Sequence, residues 1–155
     1  MNRKNINRIF LALLTVGLIT GTIVHAEAPP LFLTPSDIKW TEGSLPGSQV
    51  FILEGDPKLA ETFTLRIKLP ANYKIPPHWH PGPERVTVLS GTFHVGHGDL
   101  FDATNSKPLP VGSFMVMSPM THHFAWTNEE TIIQITGIGP WKLTFVNPAD
   151  DPRKK

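Results

Sequence analysis

The sequence predicts an all-β domain, a sandwich or barrel of about eight short strands. Three observations point there. The chain of 155 residues holds 16 prolines and 12 glycines, a punctuation that favours many short elements over long helices. Several runs of five to eight residues alternate apolar and polar side chains, the period of a half-buried strand. Past residue 26, no stretch longer than about ten residues repeats its apolar positions with a helical period.

The first 26 residues read as a secretion signal. Arg3, Lys4 and Arg8 give a basic start, an apolar run spans Ile9 to Val24, and Val24-His25-Ala26 places a small residue before the polar Glu27. A membrane anchor is the competing reading, since the run approaches the lower limit of a spanning helix. Gly17, Gly21 and the small-residue exit favour cleavage, and with no Cys there is nothing to lipidate. The expected location is periplasmic or secreted, with no stable membrane anchor once the signal is removed. His25 falls in this segment and is assigned no role.

Residues 27–48 follow as an extended N-terminal arm, proline-rich from Glu27 to Pro35, with a short turn over Ser36 to Trp40. The barrel is expected over 49–147. Its clearest strand is Phe63 to Leu69, where Phe63, Leu65, Ile67 and Leu69 alternate with Thr64, Arg66 and Lys68. Further strands are expected at Gln49–Glu54, Arg85–Leu89, Thr92–Val95, Ser113–Met117, His122–Thr127, Thr131–Thr136 and Trp141–Val146. Turn clusters separate them, among them Pro76-Pro77, Pro81-Gly82-Pro83, Gly96 to Gly98 and Asn105 to Pro110. Residues 148–155 read as an exposed tail.

The formal net charge of +1 belongs largely to the signal. Removing its three cations leaves eleven Lys and Arg against thirteen acids, a charge of about −2. No basic stripe suited to nucleic acid is present. A domain of about 130 residues without Cys must fold by core burial alone, which that length permits.

The chemistry concentrates in PPHWHPGPERVTVLSG, Pro76 to Gly91. On a strand, residues i and i+2 face one way, so His78 and His80 present two imidazoles side by side, about 6–7 Å apart at Cα. Glu84 shares their parity, but a straight strand would carry it about 13 Å past His80. Pro81-Gly82-Pro83 cannot continue a ladder and must bend the chain, which lets Glu84 start a returning strand beside the pair. An H-x-H pair also occurs in zinc sites completed by another His. His94 and His97 are the candidates for that arrangement. However, His94 alternates with Phe93 and Val95 and should point away from the interior, and His97 sits in a Gly-His-Gly turn.

With His78, His80, Glu84 and Gly91 in place, the sequence resembles the cupin superfamily, whose first motif is G-x5-H-x-H-x3/4-E-x6-G. Asn72 stands at the leading Gly, a residue that also tolerates a left-handed backbone. The second motif, G-x5-P-x-G-x2-H-x3-N, is matched by Gly112 and His123. Ser118, Met120 and Thr127 replace its Pro, Gly and Asn, and Pro119 comes one place late. The Gly112 offset and strand parity favour His123 over His122.

The resemblance covers about Glu54 to Asn147. It implies a single-domain double-stranded β-helix, a jelly-roll-like barrel, holding one divalent metal through His78, His80, Glu84 and His123. Fe, Mn, Ni, Cu, Co and Zn all suit such ligands. The resemblance alone does not select the chemistry; the favoured reading is a metal-dependent enzyme acting on a small organic molecule, oxygenase-type, with Glu84 as catalytic base. A non-catalytic binder or a metal-dependent isomerase, lyase or hydrolase is the alternative. Gln134 and Thr136 are expected either to orient a ligand or to face solvent. Phe93, Met115, Met117, Phe124, Trp126 and Trp141 are expected in the core or on a subunit surface. Edge strands such as Gln49–Glu54 leave room for a homodimer.

Overall fold

The computed structural model describes residues 29–154; the expected signal, residues 1–26, lies outside the described residues. Eleven strands and a few short 3-10 turns make up the described chain, with no α-helix among the described residues. The strands are β1 (Thr41–Glu42), β2 (Gln49–Glu54), β3 (Thr62–Leu69), β4 (Lys74–Trp79), β5 (Glu84–Ser90) and β6 (Phe93–His97). They continue with β7 (Lys107–Leu109), β8 (Phe114–Met117), β9 (His123–Trp126), β10 (Thr131–Ile138) and β11 (Thr144–Phe145). Two antiparallel sheets result, one ordered β1-β2-β3-β10-β5-β8 and the other β11-β4-β9-β6-β7. The expected all-β jelly-roll barrel is what the chain forms.

Alternation explains the assembly. In β10, Thr131, Ile133 and Ile135 are buried while Ile132, Gln134 and Thr136 lie on the other face. Ile133 pairs with Ile67 of β3 and Val88 of β5, and Ile135 with Leu65 and Val86. Paired residues share a face, so this one register sends six aliphatic side chains inward. Phe93, Val95 and Ala125 close the core from the other sheet.

Three elements depart from expectation. Pro76-Pro77 was expected to be a turn but lies inside β4. The β4–β9 register shifts between Ile75 and His78, so the prolines occupy a bulge where no ladder N–H is required. The carbonyl of Pro77 still accepts a bond from the Val146 amide, at 2.9 Å. Lys107–Leu109, assigned to a turn cluster, pairs with β6 as an edge strand, and Pro108 suits an edge because it has no N–H to leave unpaired. Of the strand expected over Trp141–Val146, two residues form ladder bonds.

The segment before the barrel is tied down more than its prolines suggest. Ile38 and Leu45 are buried, and β1 pairs with β2. The end of the chain is anchored too, by Asp151, which is buried and bonded by Arg153 Nε at 2.6 Å.

Candidate metal centre

Strand β4 carries His78, and His80 lies one residue beyond its end. The Pro81-Gly82-Pro83 bend then returns the chain so that Glu84 opens β5. His123 opens β9 and pairs in register with His78. All four residues are buried. The ring centroids of His78 and His123 are 4.2 Å apart, and those of His80 lie 5.1 Å from His78 and 5.4 Å from His123. Ligand nitrogens of the three histidines come within 4.8 Å of one another. Glu84 Oε1 is 3.6 Å from His80 Nε2, and Oε2 is 3.5 Å from His123 Nε2.

Each imidazole is held by its other nitrogen. His78 Nδ1 donates to the Pro76 carbonyl at 2.8 Å, His80 Nδ1 to the Lys142 carbonyl and His123 Nδ1 to the Thr121 carbonyl, both at 2.9 Å. A carbonyl only accepts, so the proton sits on Nδ1 and each Nε2 carries a lone pair. The three lone pairs converge with a carboxylate, and His80 Nε2 is buried with no hydrogen-bond partner. Acceptors facing acceptors in a dry site are costly unless a cation lies between them. An ion about 2.0–2.1 Å from tetrahedral ligands separates them by about 3.3 Å, close to the spacing around Glu84. The donor set therefore fits a divalent metal.

His122 stands apart. Its Nδ1 bonds to Asp99 Oδ1 at 2.6 Å, and its side chain, just before β9, is 39% exposed. His94 stacks on Trp126 with ring centroids 3.8 Å apart, on the face away from Phe93 and Val95. His97 is exposed at the end of β6. Neither joins the cluster.

The departures from the second motif keep its backbone shape. Met120, at the motif's Gly, has φ +61°, and Asn72, at the first motif's leading Gly, has φ +59°. Left-handed geometry strains a residue such as Met by about 1–2 kcal/mol. Met120→Gly is expected to raise stability by about 0.5–1 kcal/mol after Gly's own entropic cost. An unchanged or lowered melting temperature would contradict it. Thr127, in place of the motif's Asn, is buried and donates to the Pro70 carbonyl at 2.7 Å while accepting from the Tyr73 amide at 3.2 Å. It thus pins the turn that holds Asn72.

Burial, followed by the like charges of His123 and His80, pulls His78 down to about 3. Burial also lowers His80. For Glu84 burial works upward, but the nearness of the His123, His80 and His78 imidazoles outweighs it and holds the carboxyl below its ordinary value. Every shift has the same sign for stability. As the pH falls below 6.5, the unfolded chain takes up protons that folded His78 refuses until about 3. The metal-free protein should therefore lose stability steadily between those limits, with Glu84 adding to the loss at the acid end. A melting temperature that stays flat from about pH 7 to pH 4 would count against this.

The four residues form one end of a cavity of about 430 Å³. Its walls decide one open expectation and extend another. Gln134 and Thr136 do not face it: Gln134 accepts from Arg66 Nε at 3.1 Å, and Thr136 pairs with Thr64 on the outer face. Phe93, Met115 and Trp141, expected as core or surface, line it. Trp141 stacks on His80 with centroids 4.5 Å apart and planes 10° from parallel. Nothing in the sequence pattern marked Trp141 as a neighbour of His80. Its place is set by tertiary bonds, its own amide to the Pro57 carbonyl at 2.7 Å and its neighbour Lys142 to His80.

Residues 29–142 match the sequence profile of the ChrR cupin-like domain. No curated protein matches the chain. Among solved structures, the polyketide cyclase RemF from Streptomyces resistomycificus is similar at 16% identity and a TM-score of 0.65, over 81% of this chain and 92% of that one. KdgF from a Halomonas species is similar at 21% identity and a TM-score of 0.55, over 70% and 94%. An acetylacetone dioxygenase from Acinetobacter johnsonii gives 17% identity and a TM-score of 0.60, over 81% and 83%. At these identities the likeness shows the fold.

Proposed function

Because the chain belongs to the cupin superfamily, within its ChrR cupin-like family, we propose that it is an exported metal-dependent enzyme of the oxygenase type, acting on a small organic molecule. The observation that carries this reading is the convergence of three tautomer-fixed Nε2 lone pairs and one buried carboxylate at the end of a cavity. His78, His80, Glu84 and His123 are the residues that would hold the metal. A redox-active ion bound there would supply dioxygen chemistry, and zinc would supply Lewis acidity.

The protein's own residues contribute three things. Nδ1 bonds to backbone carbonyls orient the imidazoles before any ligand arrives, and such support raises ligand basicity. Hydrophobic walls keep water from the reacting end. Glu84, held as a carboxylate by the surrounding histidines, can accept a proton from a bound acidic C–H or hydroxyl. A polyketide cyclase and an acetylacetone dioxygenase among the structures of similar fold support an enzyme over a passive binder. The basic start and apolar run of residues 1–26 support export.

The decisive experiment measures bound metal in the purified protein and in His80→Ala, then oxygen uptake on catechol, flavonol and β-diketone substrates. Redox-active metal at about one per chain in wild type, lost in the variant, with oxygen uptake is the expected result. Metal absent from wild type after reconstitution would sink the site. Zinc with no oxygen uptake would move the function to a hydrolase, an isomerase or a binder.

A further inference from the structure

The cavity has few polar groups away from the four residues at its floor. Of its other lining side chains, Glu42 and Lys58 carry charge, and both are solvent-exposed. The Ser48 hydroxyl is already committed to the Leu45 carbonyl at 2.6 Å. Between that exposed rim and the floor, the walls are Leu69, Phe93, Met115, Ile133, Ile135 and the ring of Trp141, whose buried Nε1 has no hydrogen-bond partner and is the one free side-chain donor among them. The polar face of β10, which would have supplied Gln134 and Thr136, is turned outward.

We infer that the substrate has a hydrocarbon body and a single oxygenated end, as in an alkyl- or aryl-substituted catechol or β-diketone. Its oxygens lie at the histidine end and its body lies along these walls. The orientation rests on the metal reading above; the hydrocarbon body rests on the walls alone. A sugar acid or nucleotide would bring several hydroxyls, of which one could meet the Trp141 N–H, and each of the others would weaken binding about tenfold. A methylene leaving water for these walls strengthens it about fourfold.

The test is a chain-length series. Catechol and 4-alkylcatechols from methyl to butyl are titrated into the zinc-loaded protein by calorimetry, with D-galacturonate as the hydroxylated comparison. The dissociation constant is expected to fall about threefold to fourfold per added methylene, with galacturonate at least about a hundredfold weaker than 4-butylcatechol. Met115→Trp fills part of the cavity without touching the floor. It should weaken 4-butylcatechol about tenfold relative to catechol while zinc stays at one per chain. Ile135→Ala, which enlarges the cavity, should move the preferred chain length upward and shows the result does not hinge on one variant.

A series flat in chain length, or galacturonate binding as tightly as 4-butylcatechol, would overturn the inference. Repeating the titrations with EDTA-treated protein and 4-alkylphenols separates the two readings. Chain-length dependence that survives without zinc upholds the walls even if the metal assignment fails. Zinc bound normally with no chain-length dependence rejects the substrate class alone.

Discussion

Replacing His123 by alanine is expected to lower affinity for a divalent transition metal by more than about a hundredfold, while His122→Ala leaves it within about twofold. The loss should exceed the 10–100-fold cost of removing a mere supporting partner, because a ligand itself is gone. The two residues are sequence neighbours, yet the extended chain entering β9 gives them opposite surroundings. His123 faces His78 across the β4–β9 pair and lies 3.5 Å from Glu84, whereas His122 faces out to Asp99. Competition with a chelating dye reads both constants directly. Equal losses in the two variants would place the fourth ligand wrongly. Melting temperatures taken without metal would show whether either change merely unfolds the barrel.

Phe63→Ala is expected to cost about 3–5 kcal/mol of folding free energy. Phe63 is fully buried. Its ring lies so close to Gly137 of β10 that a Cβ there would come within 2.9 Å of it. It also packs on Trp141, with centroids 5.9 Å apart. Small domains have about 5–15 kcal/mol in all, so the variant should sit near the limit of folding. Urea unfolding measures the loss, and less than about 1.5 kcal/mol would mean the site collapses onto the gap. Because Trp141 lies between Phe63 and His80, the same variant should change the Trp fluorescence response to metal. His122→Ala should not.

Much of this arrangement was legible in the sequence, for physical reasons that differ from residue to residue. The β3 and β10 strands were readable because their side chains alternate between a dry and a wetter face. The union of His78, His80 and Glu84 was readable because Pro81-Gly82-Pro83 admits no straight continuation. Left-handed geometry at Asn72 followed from its side chain. His123 was preferred to His122 on the Gly112 offset and strand parity, but its register with His78 was not readable, being a relation between strands far apart in the chain. Pro76-Pro77 read as a turn because a bulge that tolerates prolines is a property of the strand pairing, not of the prolines. Trp141 and the cavity walls were hidden because a Leu or Phe looks the same in sequence whether it fills a core or borders a void.

The bonds that orient the three imidazoles end on the carbonyls of Pro76, Lys142 and Thr121, and a carbonyl is the one acceptor every amino acid carries. Substitution at those three positions changes the side chain and leaves the anchor in place. A comprehensive mutational survey should therefore find the histidines intolerant and their anchoring positions permissive, wherever the new side chain fits. Related sequences can drift around the centre without losing it. What holds the centre is the path of the chain, and a barrel that keeps this path can change its wall residues, and with them its substrate, while the floor stays ready for an ion.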